Sequence, residues 1–91
     1  MVVEDYMNVL GRGWIIIAYG DELSHKEIHF GERIVRGDVT FTIKGVERSK
    51  YGDNWWANRV GLVLSPNNRV PDYFELGQEI EILPKGELPR G

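Results

Sequence analysis

The chain contains no cysteine in 91 residues. Disulfide staples, thiolate catalysis and cysteine-based zinc sites are therefore excluded. No apolar run reaches the length of a membrane-crossing helix; the longest, Trp14 to Tyr19, is the size of a strand. There is no basic excess. The formal net charge is -3, which argues against a generic nucleic-acid binder but leaves room for a local basic patch. Met1 to Asp5 carries acids instead of the basic start of a secretory signal. The expectation is a cytoplasmic protein with no membrane role. A Gly-x-Ser-x-Gly elbow is missing, as is any nucleophile with an evident base, so no enzyme activity and no cofactor are expected.

Helical periodicity is also missing. Apolar residues rarely recur at helical spacing, and β-branched and aromatic residues dominate the runs. What remains is a succession of short strand-like segments separated by glycine. Asp5 to Leu10 reads as a first strand, broken by Gly11-Arg12-Gly13. Trp14 to Tyr19 reads as a strand buried on both faces. Gly20 to Lys26 is polar and irregular. Glu27 to Phe30 and Arg33 to Val35 read as a hairpin about Gly31-Glu32, and Gly37-Asp38 marks a further turn. Val39 to Val46 alternates cleanly: Val39, Phe41 and Ile43 share one face, Thr40, Thr42 and Lys44 the other.

Ser49 to Asn54 reads as a loop and Trp55 to Leu64 as a long strand, with Val60, Leu62 and Leu64 in phase and Gly61 marking a bulge or close approach. Ser65 to Phe74 is rich in turn formers; its Pro66 to Phe74 loop offers Asn67, Asn68, Arg69 and Tyr73 for binding, and the preferred reading is a lid over one end of the barrel. In Gln78 to Leu83, Ile80 and Ile82 alternate with Glu79 and Glu81. Residues 1–91 are expected to form a single all-β domain, with 84–91 a frayed tail. The predicted fold is a small closed antiparallel barrel of six to seven strands.

Four blocks resemble the second, β-barrel domain of the elongation factor Tu-like translation GTPases. They are Glu4 to Gly13 leading into an apolar strand, Lys26 to Ile34, Gly45-Val46-Glu47, and Arg59 to Leu64 followed by Glu75 to Ile80. Together they run from about Glu4 to Ile82. The resemblance implies a stand-alone barrel of the translation-protein type. It implies no GTP binding, because the chain carries no Gly-x-x-x-x-Gly-Lys-Ser/Thr loop. It departs from the family at Asp21 to His25 and at Asn54 to Asn58, where the family's RNA contacts do not map onto matching residues.

Gly11-Arg12-Gly13 lacks the third glycine of a dinucleotide fingerprint and leads into a strand, so it reads as a sharp corner. His25 and His29, with Glu27 and Glu32 nearby, fall in loop and strand; no metal site is expected. The segment of most interest holds Arg48, Lys50, Tyr51, Trp55 and Arg59. Aromatic rings beside cations stack bases and neutralise phosphates. By strand phase Trp56 goes with Val60 and Leu62 toward the core, and Trp55 lies outward with Arg59. The alternative is that both tryptophans pack, one inside and one under a loop. Two functional expectations follow. One is a non-enzymatic binding module that docks on RNA or a ribonucleoprotein of the translation apparatus. The other is a protein–protein interaction or assembly module with no nucleic-acid role. A small-molecule site in the barrel mouth is a weaker third expectation.

Overall fold

The computed structural model describes residues 1–48 and 58–85. Their regular structure is β1 (Val2–Val9), β2 (Gly13–Tyr19), β3 (Arg33–Arg36), β4 (Val39–Glu47) and β5 (Arg59–Ser65). Single 3-10 turns lie at Asp21–Ser24 and Val70–Asp72. The five strands form one antiparallel sheet in the order β1-β2-β5-β4-β3. No α-helix occurs among the described residues.

The local chemistry accounts for these elements. β2 contains the run Trp14-Ile15-Ile16-Ile17-Ala18, whose branched side chains favour the pleated state. It is buried on both faces, as its unbroken apolar run predicts. Ile16 and Ala18 enter the main core, while Ile15 and Ile17 form a second cluster with Val63. β4 alternates as expected, with Phe41 and Ile43 fully buried and Thr40 and Lys44 exposed. Val60, Leu62 and Leu64 of β5 join Phe41 and Ile43 inside.

The corner between β1 and β2 needs glycine. Gly13 sits at φ 90°, and a Cβ there would lie 2.7 Å from the Asn67 side-chain oxygen. That oxygen accepts the Trp14 N–H at 3.1 Å, so the corner and the 65–74 loop are pinned together. The loop covers the core as a lid, with Val70 and Phe74 wholly buried.

Three sequence expectations change. Glu27 to Phe30 is not a strand. The Glu32 carboxylate accepts the His29 N–H at 2.6 Å, and the Glu32 N–H donates to His29 O at 3.2 Å. These local bonds satisfy the groups that a ladder would need. Of the two readings of Gly61 the bulge is not found, while neighbours do lie close, with Glu47 Cβ 3.4 Å from where a Cβ would stand; the register instead shifts in β4 between Ile43 and Gly45, and in β1 between Val3 and Asp5.

Finally, the sheet has five strands and is open, since its edges β1 and β3 do not pair. The segment from Gly77 to Leu83 lies across both edges without forming a continuous ladder. It bonds to β1 through Gly77 N–H to Val3 O (2.6 Å) and Val3 N–H to Gln78 O (2.8 Å), and its Leu83 exchanges two bonds with Arg33 of β3. Its Ile80 and Ile82 are buried, and Glu79 and Glu81 face out, as the alternation predicts.

Candidate functional site

The connection from β2 to β3 builds an open concavity. Gly20 donates its N–H to Asn58 O at 2.9 Å, tying the start of the connection to the residue before β5. The 3-10 turn follows. The N–H groups of His25 and Lys26 both bond to Glu22 O, at 3.2 and 2.8 Å. Ser24 Oγ donates to Asp21 O at 2.9 Å. Leu23 anchors the turn in the core and Ile28 packs against that core, so the polar residues between them are held outward.

Arg48, just beyond β4, completes the wall. Its Nη1 donates to Leu23 O at 2.9 Å and its Nη2 to Lys26 O at 3.0 Å. One planar guanidinium thus joins two carbonyls of the turn, a geometry that a lysine cannot reproduce. The result is an open groove of about 510 Å³ lined by residues 23–29 and Arg48. Lys26, His25 and His29 bring nitrogen donors to it, and Leu23 and Ile28 bring apolar surface. Glu27 Oε2 lies 3.5 Å from His29 Nε2. Phe30, which is 65% exposed, follows directly after the lining run.

The sequence-predicted binding residues divide. Arg48 and Arg59 both leave the end of the sheet where Glu47 stands opposite Gly61, but different elements engage them. Arg48 binds the 3-10 turn. Arg59 Nε reaches the Glu4 carboxylate at 2.9 and 3.0 Å, and its guanidinium lies over the Tyr19 ring, 4.7 Å from the centroid. Lys50, Tyr51 and Trp55 lie outside the described residues, as does Trp56. Sequence reasoning singled out the histidines of the groove but missed its apolar floor. The signal was present: Leu23 and Ile28 are the only aliphatic side chains in the polar stretch from Gly20 to His29.

His25 and His29 do not converge with carboxylates on a metal. Among the described residues no group of three or more His, Asp or Glu is arranged to hold one. His25 Nδ1 is instead 3.3 Å from Ser24 Oγ. One carboxyl near the site is perturbed. The α-ammonium of Met1, 2.6 Å from Glu22 Oε1, holds the Glu22 carboxyl below its ordinary value of 4.5. The backbone N–H of Glu22 and the charge of Lys26 act in the same direction.

No helix among the described residues is long and apolar enough to cross a membrane. No protein-family model, curated protein or solved structure matches the chain.

Proposed function

We propose that this domain is a non-catalytic binding module for a protein partner. It takes an extended segment of that partner in the groove between residues 23–29 and Arg48. The observation that carries the reading is the pair of hydrogen bonds that Arg48 donates to Leu23 O and Lys26 O. A cation placed this way shapes a groove wall instead of waiting for a phosphate. The remaining lining suits a short segment with apolar residues for Leu23, Ile28 and Phe30 and a carboxylate for Lys26. Aromatic and cationic anchors beside apolar floors are the usual composition of such contacts.

RNA docking is the second reading. Its cations would be Arg48 and Arg59, and both make contacts within the domain. Its aromatic part would be Tyr51 and Trp55, with Lys50 beside them. The fold that goes with either reading is a small barrel of the translation-protein type, closed by Gln78 to Leu83 between β1 and β3. The main-chain bonds of that segment to both edges support it, as do the four sequence blocks.

The test is selection from a displayed library of extended peptides, with selected peptides mapped by amide chemical shifts. Transfer RNA is titrated in parallel across salt concentrations. Shifts confined to residues 23–30 and abolished by Lys26→Glu bear out the protein reading. A library that yields nothing, together with salt-sensitive RNA binding lost on Arg59→Ala, replaces it with the RNA reading.

A further inference from the structure

The edge of β1 is divided at its bulge. Before the bulge, Gly77 to Ile80 lies against it: Val3 is bonded on both sides of its peptide, and Met1 O accepts the Ile80 N–H at 3.0 Å. Beyond the bulge no described segment lies alongside. The hairpin fixes which groups face out. Val9 is opposite Gly13, and its carbonyl accepts the Arg12 N–H at 2.9 Å. Asp5, Met7 and Val9 therefore turn their main chain toward β2, and Tyr6 and Asn8 turn theirs outward.

The Tyr6 amide agrees with this parity. It is taken by the Asp5 side chain at 2.8 Å, the local capping that an unpaired edge amide invites. The Tyr6 carbonyl and both main-chain groups of Asn8 then form a short open ladder. Around it Met7 is 42% exposed, and Leu10 is wholly exposed at the tip of the hairpin.

We infer that this open half of β1, Tyr6 to Leu10, pairs antiparallel with the same half of a second copy of the chain. The pairing centres on Asn8. A two-fold there lets the two Asn8 residues exchange both of their main-chain bonds. Met7 then faces Val9 of the second copy, and Tyr6 faces Leu10, which covers the bare hairpin tip. The acidic pair Glu4-Asp5 meets Gly11-Arg12, so no like charges are opposed across the seam, and Glu4 and Arg12 keep their partners within the chain, Arg59 and Glu47. A two-fold centred on Tyr6 fails for two reasons: the Tyr6 N–H is already taken, and Val9 would be brought onto Val3, which Gly77 and Gln78 already cover. The contact spans about five residues a side and falls well below the roughly 1,200 Å² of stable complexes. The dimer is therefore weak and depends on concentration. It does not involve the groove.

The test is sedimentation velocity of the full chain from micromolar to millimolar concentration, with Asn8→Pro and Met7→Lys alongside. Proline removes an amide that faces away from β2, so the intramolecular ladder is retained. Lysine places a charge at the centre of the seam and keeps the backbone, so the inference stays testable if the proline variant does not fold. The wild type is expected to rise toward the dimer with concentration, with slower hydrogen exchange at Asn8. Both variants are expected to remain monomeric with melting points close to wild type. A wild type that stays monomeric throughout overturns the inference. So does a dimer that persists in Met7→Lys, or one whose exchange protection lies away from residues 6–10.

Discussion

Replacing Arg48 by methionine separates a residue that builds the domain from one that waits for a ligand. The guanidinium bonds Leu23 O and Lys26 O, 25 and 22 residues away in the chain. A hydrogen bond from a charged donor contributes about 1.5–3 kcal/mol where water is excluded. Arg48 is exposed, so solvent competes and screening lowers that value. For the pair, about 1–3 kcal/mol is left in total. At roughly 4–8 °C per kcal/mol for a domain of this size, Arg48→Met should lower the melting temperature by roughly 5–20 °C. Arg48→Lys keeps the charge but not the planar fork, and should recover less than half of the loss. Differential scanning calorimetry measures both. Hydrogen exchange adds a local readout: the amides of His25 and Lys26, bonded to Glu22 O, should lose protection in Arg48→Met before the core strands do. A melting temperature within about 2 °C of wild type, with Lys fully substituting for Arg, would refute the structural role of Arg48 and return it to the surface as a phosphate contact.

Three further outcomes test the fold and its charges. Phe41 is wholly buried, with its ring centroid 5.4 Å from those of both Tyr73 and Phe74; Phe41→Ala should cost about 3–5 kcal/mol in urea unfolding, a large part of the roughly 5–14 kcal/mol expected for a chain of this length. Gly13→Ala should cost more than Gly11→Ala. Both sit at positive φ, worth about 1–2 kcal/mol of strain, but only Gly13 has Asn67 in the path of a Cβ; equal losses would remove Asn67 from the corner. Glu22 has a carboxyl pKa below 4.5 in the folded chain, set first by its bond from the Met1 ammonium. Its stabilisation is present above 4.5 and disappears as pH falls through the lower folded value. The stability gap between wild type and Glu22→Gln should therefore be constant near neutrality and close on acidification, and a gap independent of pH down to 3 would show that the ion pair contributes nothing.

The strands were legible where one periodicity dominates. β4 alternates, β2 is uniformly apolar, and both fold as their patterns demand. Glycine marked the corners for the same reason: Gly11, Gly13, Gly31, Gly37 and Gly77 all adopt positive φ. The segment 27–30 misled because β-propensity is weak over four residues. A single carboxylate three positions on, Glu32, captured the His29 amide and settled the matter. The binding residues were less legible still. Arg48 and Arg59 lie eleven positions apart beside aromatic residues, and composition alone reads them as one cationic patch. Their partners Leu23, Lys26, Glu4 and Tyr19 are more than twenty residues away in sequence. An arginine's use depends on which carbonyl or carboxylate the fold brings to it, and no local pattern encodes that.

The bulge at Glu4-Asp5 ties these observations together. The pairing of β1 with the C-terminal segment stops at Val3, where that segment reaches the edge through the turn from Glu75 to Gln78. At the same place the extra residue of β1 turns two acids outward in succession. Each acid then takes a separate task. Glu4 receives Arg59 and so withdraws that cation from the surface. Asp5 caps the Tyr6 amide and so blocks the first rung of the exposed edge. Strand addition is thereby confined to Asn8 and its neighbours, and only a register centred there avoids both the capped amide and the covered Val3. Deleting Glu4 would test this division directly. Without the bulge, the register of β1 against β2 should run unbroken past Val3. Asp5 would lose its outward cap, and Arg59 would be released toward solvent. Amide exchange should then be faster at Tyr6, whose N–H is bonded to the Asp5 carboxylate in the wild type. A deletion variant with an unchanged exchange pattern along β1 would show that the edge is set by something other than the bulge.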